Sequence, residues 1–321
     1  MRRRLPFSFS ERKQKLKITL DLLRAKGAWD DFLAFFKATW GEIAEYQKVL
    51  DRLAGKPILI EDDERNYKWA LMLISKVGAD EHAVKKISAA PRSRHLFAAG
   101  RLILKTDVSI LGHILAADDI KALAGVKAGG GIRAWERIDV AGKIEAGEGI
   151  KADYAIKAGG GIKARERIQA AAAGIETGGG IEAGWGIDAH WGIEAVLGIK
   201  AGGSIDAGQD IKAGGAIEAG RAICVCGGIN AGRGIESGTD ISAGEGIKAG
   251  GEIKAGGGIE AGFSICCENS LSAKNRIFAG TYLLRLPENH ERQIICLQLK
   301  SGTVAYGELI ETSKTNAVQG V

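Results

Sequence analysis

Histidine and cysteine are the residues here best suited to chemistry, and neither type is spaced so as to build a site. His82, His95, His113, His190 and His290 are spread over the chain. A general base needs a partner to orient it and a cleft to hold substrate, and no polar cluster recurs around any of them. His113 and His190 therefore read as surface histidines. The cysteines form two short groups, Cys224-x-Cys226 and Cys266–Cys267, with Cys296 apart. A zinc site needs three or four ligands converging on one point, and spacing supplies none, so thiols filling small slots are the better reading. No catalytic residue, cofactor or metal is expected. The Gly-rich runs match phosphate loops superficially, but no helix follows them and they recur as part of a repeat.

Two other sets carry binding potential. Trp185 and Trp191 occupy the same slot of neighbouring repeats, and Tyr154 and Phe263 hold that slot elsewhere. Exposed aromatics at adjacent bends can anchor a protein partner; the bland alternative is that each covers a neighbouring glycine, as Trp185 would cover Gly203. The second set is basic: Arg2, Arg3, Arg4, Arg12, Lys13, Lys15 and Lys17. Such a run can contact nucleic acid, or serve only as a solvated tail.

The element that positions these residues is a six-residue repeat. An aliphatic residue recurs every six positions from Val108 to Ile168 and again from Ile175 to Ile277, with one extra residue near Ala171–Ala173 between the runs. Of the 29 repeats, 26 begin with Ile and 23 have Ala two residues later; the exceptions at that second slot are Ile110, Val140, Thr177, Val225, Ser237 and Cys267. The unit reads Ile–charged–Ala–Gly–any–Gly. Apolar, charged, apolar is the two-residue period of a strand, with Ile and Ala inward. The glycines serve bends where a side chain would clash or φ must be positive. So short a strand must stack on copies of itself, as in a solenoid. Outward charges 18 residues apart, such as Lys121/Asp139, Lys127/Glu145 and Lys200/Glu218, are opposite in sign more often than alike. That favours a triangular coil of three repeats. The expectation is a mainly β protein: a single-stranded triangular β-helix of about ten coils, roughly 45 Å long at about 4.8 Å per rung.

Open coil ends aggregate unless covered, and the flanks supply candidates. Leu16–Ala25, Trp29–Trp40, Glu42–Leu53 and Asn66–Val77 read as amphipathic helices, docking on the first coil near residue 95. Alternation over Gln293–Leu299 and Thr303–Ile310, around Lys300–Ser301–Gly302, predicts a β-hairpin. The expected division is a basic α-helical domain over 1–94, the β-helix over 95–283, and a β cap with a tail over 284–321.

Composition bounds the rest. Gly is 47 of 321 residues with only 4 Pro, which fits neither collagen nor disorder. The net charge is +5, and the basic excess falls before residue 95. No stretch is apolar enough to span a membrane, and MRRRLPFSFS lacks the apolar core of a secretory signal. An odd number of cysteines reads as reduced thiols, so a cytoplasmic location is expected.

The repeat resembles the hexapeptide units of left-handed β-helices, with the small inward residue two positions after the aliphatic one instead of four. That departure leaves handedness open. It also resembles bactofilin-type polymer-forming β-helices. The first resemblance implies an acyltransferase as one alternative, although no loop interrupts the coils to shape an acceptor pocket; the second implies a self-assembling scaffold. ITLDLLRAKGAWDDFLAFF, NYKWALMLI and the GIKAGGGIEAGWGI-type units together resemble uncharacterised proteins of bacteriophages and prophages. That resemblance covers most of the chain and implies phage–host biology. The leading expectation is a non-catalytic interaction protein that binds and blocks a host factor, with a homo-oligomer also open.

Overall fold

A computed structural model describes residues 15–55, 60–89, 91 and 93–312. It shows a parallel β-solenoid with few helices. Each repeat up to Ile265 forms one three-residue strand whose first and third residues are buried, as in Ile181–Ala183 and Ile199–Ala201, and the last two share the longer strand Ser270–Ala279. Three faces follow in chain order, opened by the strands Val108–Ile110, Ile114–Ala116 and Ile120–Ala122. Within each of the two unbroken runs of repeats a strand pairs in parallel with the one 18 residues on, so Ile120 lies under Ile138 and Ile199 under Ile217. Across Ala171–Ala173 the step becomes 19, placing Ile156 under Ile175, and the extra residue is absorbed in a bend without breaking the ladder.

The solenoid has about 13 turns rather than ten, because rungs without the repeat's sequence extend both ends; the third face alone has thirteen strands. At about 4.8 Å per rung that face is roughly 58 Å long. Val84–Ile87, Leu96–Ala98 and Arg101–Leu104 precede the repeat. At the other end the expected hairpin is not formed. Gln293–Cys296 pairs in parallel with Glu308–Glu311, and Gln298–Tyr306 pairs in parallel with Ser270–Ala279. Lys300–Ser301–Gly302 lies within a strand that turns a corner, with Gly302 at φ +104°, instead of forming a two-strand turn. Alternation is common to a hairpin and a solenoid rung; only the partner strand distinguishes them.

Inside, the stacked Ile and Ala columns form one continuous core. The two polar exceptions are satisfied at the bends: Thr177 Oγ1 donates to Gly160 O, and Ser237 Oγ donates to Asp240 O at 3.0 Å. Glycine in the regular coils answers close approach, not left-handed backbone. None of the positive-φ glycines belongs to a repeat between Val108 and Ala279. A Cβ on Gly184 would instead sit 1.9 Å from Arg165 O on the rung below.

The N-terminal part differs in detail from the sequence expectation. Lys17–Thr19 and Ile43–Glu45 form an antiparallel ribbon, so the helices there are shorter: α1 (Leu20–Ala25), α2 (Asp30–Trp40) and α3 (Tyr46–Leu53). Thr19 accepts from Leu22 N and caps α1. α4 (Ile60–Val77) begins earlier than expected. Phe32, Phe36, Tyr46, Leu50 and Leu73 build a second core that takes in Phe97 and Leu115, the outward residues of the first two second-face strands. The edge of Leu96–Ala98 is closed by this layer. Gln47 donates to Phe97 O at 3.0 Å and accepts from Ala99 N at 2.8 Å, and Asp80 N donates to Ala99 O. Lys85 bonds Phe97 O and Asp51 while Ile87 packs on the core, which plugs this end.

Candidate functional site

Three bends separate the faces, and in one coil all three carry large exposed apolar side chains. Trp185 stands between the first and second faces, Trp191 between the second and third, and Val196 with Leu197 between the third and the next first. Their exposures are 64%, 50%, 63% and 60%. Val196 and Leu197 are flanked by Gly178, Gly179, Gly214 and Gly215, whereas Trp185 stands between Glu166 and Gly203 and Trp191 between Ala173 and Gln209. From sequence only Trp185 and Trp191 stand out; Val196 is legible as an aliphatic in the repeat's first Gly slot, which Leu111 and Leu123 also break, and Leu197 falls in the variable slot.

The four aromatic candidates do not form one surface. Tyr154 lies on the same bend as Trp191, one rung beyond the Ala171–Ala173 bend: Ala173 N donates to Tyr154 O and Trp191 N to Ala173 O. Arg137 sits over the Tyr154 ring at 4.8 Å. Phe263 occupies that bend further up but is half-buried under Tyr282 and Arg285, with ring centroids 4.5 Å apart from Tyr282. The Gly203 N–H donates to Trp185 O at 2.5 Å. The indole nevertheless stays largely in solvent, so covering Gly203 does not account for it.

Beside Trp185 a groove of about 340 Å³ is lined by Arg167, Asp188, Ser204, Asp206 and Arg221. Asp188 and Asp206 are outward residues on adjacent rungs, directly in register. Burial and the neighbouring Asp188 charge push the Asp206 carboxyl up, against Arg167, which lowers it. Gln169 Nε2 donates to Asp188 Oδ2 at 3.3 Å. The groove thus pairs an apolar wall with charges of both signs.

The histidines have a role the sequence did not reveal. His95 Nδ1 accepts from His113 N and His113 Nδ1 from Gly131 N, both at 2.9 Å. Asp107, Asp119, Asp210 and Asp240 do the same for Gly125, Arg137, Gly228 and Gly258. Each occupies the slot just before the aliphatic residue and ties its bend to the rung above. The visible signal is Asp or His in a slot usually held by Gly. His113 is therefore not a surface histidine: its ring stacks on Tyr67 at 3.7 Å and its side chain is 13% exposed. Glu148 Oε2 lies 3.7 Å from His113 Nδ1, the nitrogen that accepts from Gly131 N. Burial, with Glu166 nearby, pushes the Glu148 carboxyl up. His190 is exposed.

Cys224 and Cys226 are exposed, Cys266 is half-buried, and Cys267 and Cys296 are buried. Burial, with Cys296 and Cys266 beside it, pushes the Cys267 thiol up to about 12. The thiolate is the reactive form, so in the native protein at pH 8 the exposed Cys226 should react with a disulfide reagent, and Cys224 more slowly, because partial burial and the Asp206 and Asp240 charges push its thiol up. Cys267 and Cys296 should react only after unfolding. Five fast equivalents from the native chain would show that the last rungs are not closed. Among the described residues no three His, Cys, Asp or Glu converge to hold a metal ion.

Of the basic candidates, Arg2, Arg3, Arg4, Arg12 and Lys13 lie outside the described residues. Lys15 bonds Glu45 at 3.3 Å, an exposed contact that lowers the Glu45 carboxyl, and Lys17 is exposed. Among the described residues no helix is long and apolar enough to cross a membrane. Compared with known proteins, the chain matches no family model, no curated protein and no solved structure.

Proposed function

We propose that this chain is a non-catalytic interaction protein of bacteriophage type that binds, and so blocks, a host protein in the bacterial cytoplasm. The observation that carries this reading is the belt: Trp185, Trp191, Val196 and Leu197 exposed around a single coil. Water-exposed indoles on a rigid frame lose little conformational entropy when a partner covers them, which is why tryptophan is enriched among residues that dominate binding energy. The rest of the rod offers charge ladders such as Lys127–Glu145, Lys163–Glu182 and Lys200–Glu218, which neutralise themselves. Being exposed, each such pair adds little stability and leaves little net field to attract a partner. The belt, with the Asp188/Asp206 groove beside it, breaks that monotony.

The test is capture from a bacterial lysate by the tagged full chain, quantified by mass spectrometry. A single protein recovered in near-stoichiometric amount, and lost when Trp185 and Trp191 are both alanine, is the expected result. Recovery of no stoichiometric partner, or of one indifferent to both tryptophans, would overturn the reading.

A further inference from the structure

Among the described residues three acidic pairs stack in register on adjacent rungs: Glu176 with Glu194, Glu218 with Glu236, and Asp188 with Asp206. Like charges directly opposite each other destabilise a strand pair. The rod corrects the first two from within. Lys157 and Lys212 bracket Glu176/Glu194 in the same column, and Lys200 and Lys254 bracket Glu218/Glu236. Lys157–Glu176, Lys200–Glu218 and Lys254–Glu236 close as ion pairs. Asp188 and Asp206 are bracketed instead by Gln169 and Cys224, neither of them a cation. Gln169 gives Asp188 one hydrogen bond, and among the described residues no ion pair reaches either carboxylate.

Two arginines line the same groove without closing on that pair. Arg167 stands in the bend one rung before Asp188, and Arg221 in the bend one rung after Asp206. Three rungs separate them, about 14 Å at about 4.8 Å per rung, and the two carboxylates flank the midpoint. Arg167 does not offset the pair: burial and the Asp188 charge still push the Asp206 carboxyl up. Trp185, 64% exposed, rises from the same bend between the arginines. Along the rod the groove therefore reads positive, then a double negative beside an indole, then positive.

We propose that this groove takes an extended acidic–x–arginine–x–acidic segment of the protein partner, laid along the rod. The inference rests on the reading of the belt as the partner surface. In a strand the side chains i, i+2 and i+4 line one face, and four steps of about 3.3 Å span about 13 Å, close to the separation of the two arginines. The central guanidinium stacks on the Trp185 indole, the best aromatic for a cation, and its planar fork donates to Asp188 and Asp206 together. Its charge then does for this pair what the lysines do for the other two. The outer carboxylates pair with Arg167 and Arg221. Lysine at the centre fits less well, being a point charge with no fork and no plane to stack.

The probe is the pentapeptide acetyl-Glu-Ala-Arg-Ala-Glu-amide, titrated into the full chain labelled with fluorotryptophan and followed by fluorine NMR. The Trp185 line is the one missing from Trp185→Phe. A saturable shift of that line at millimolar peptide is expected, with none from the charge-inverted acetyl-Lys-Ala-Glu-Ala-Lys-amide. Asp188→Asn with Asp206→Asn should weaken peptide binding by at least about tenfold, through lost charge-assisted hydrogen bonds. The same change should leave the unfolding midpoint unchanged or higher, because the repulsion goes with the charges. Arg167→Gln with Arg221→Gln reads the outer contacts separately and should also weaken binding. A Trp185 line that does not move, one that moves equally with the inverted peptide, or binding indifferent to both double variants overturns the proposal. Tryptophan-dependent capture without peptide binding would strike this segment and leave the proposed function standing. Capture indifferent to the tryptophans would strike the function itself.

Discussion

Replacing Trp185 or Trp191 with alanine is expected to weaken capture of the protein partner by about 30-fold each, while leaving the unfolding midpoint nearly unchanged. The magnitude follows from what a central aromatic contributes: truncating a dominant interface residue costs about 2 kcal/mol or more, and every 1.4 kcal/mol is about tenfold in affinity. The small stability effect follows from exposure. At 64% and 50% exposed, the two indoles contribute little to the folded state, and surface substitutions away from special features usually fall within about 0.5 kcal/mol. Phe263→Ala is the internal contrast. Its ring is covered by Tyr282 and Arg285, so its loss should be felt in stability and not in binding. A competing apolar patch exists at Leu283, Leu284 and Leu286, which are 97%, 85% and 91% exposed on an irregular segment. If Leu284→Ala with Leu286→Ala abolishes capture and the tryptophan variants do not, the partner docks on that segment and the belt is idle.

How far the sequence reached depended on whether a signal repeats. The strands, their inward Ile and Ala, and the 18-residue coil were legible because Ile recurs at one interval and opposite charges stack at three times that interval; the register of Lys127 with Glu145 is that stacking realised. The insertion at Ala171–Ala173 was legible for the same reason, as a break in phase. What lacked repetition was misread. Gln293–Cys296 and Glu308–Glu311 alternate like a hairpin, and their parallel pairing depends on chain far away in sequence. Lys17–Thr19 falls in a stretch whose apolar spacing suits a helix, but its partner Ile43–Glu45 draws it into a ribbon. At the candidate site the tryptophans were visible as large aromatics in the variable fifth slot of adjacent repeats. That Trp185, Trp191 and Leu197 belong to one coil was implicit in the six-residue step. That Phe263 is covered was not, because Tyr282 and Arg285 lie outside the repeat.

Ile205→Ala should cost about 2–5 kcal/mol, the usual range for truncating a fully buried aliphatic side chain, and should do so locally. Ile205 is 0% exposed and lies between Ile187 below and Ile223 above on the second face. A regular stack has no larger side chain nearby to swing into the gap, because its rung neighbours are the same Ile and Ala held by the same backbone ladder. Coils touch only their neighbours, so the stability of a solenoid is a sum of nearest-neighbour terms. A central lesion then uncouples the two halves, whereas Leu299→Ala, at a half-buried end position, should only fray the last turn. Hydrogen exchange by mass spectrometry reads the difference directly. In the Ile205 variant protection should fall most over Ile187–Ala189 and Ile223–Val225 and least over Ile114–Ala116. A uniform loss along the whole rod would mean that it unfolds as one cooperative unit, and the nearest-neighbour picture of its stability would have to be abandoned.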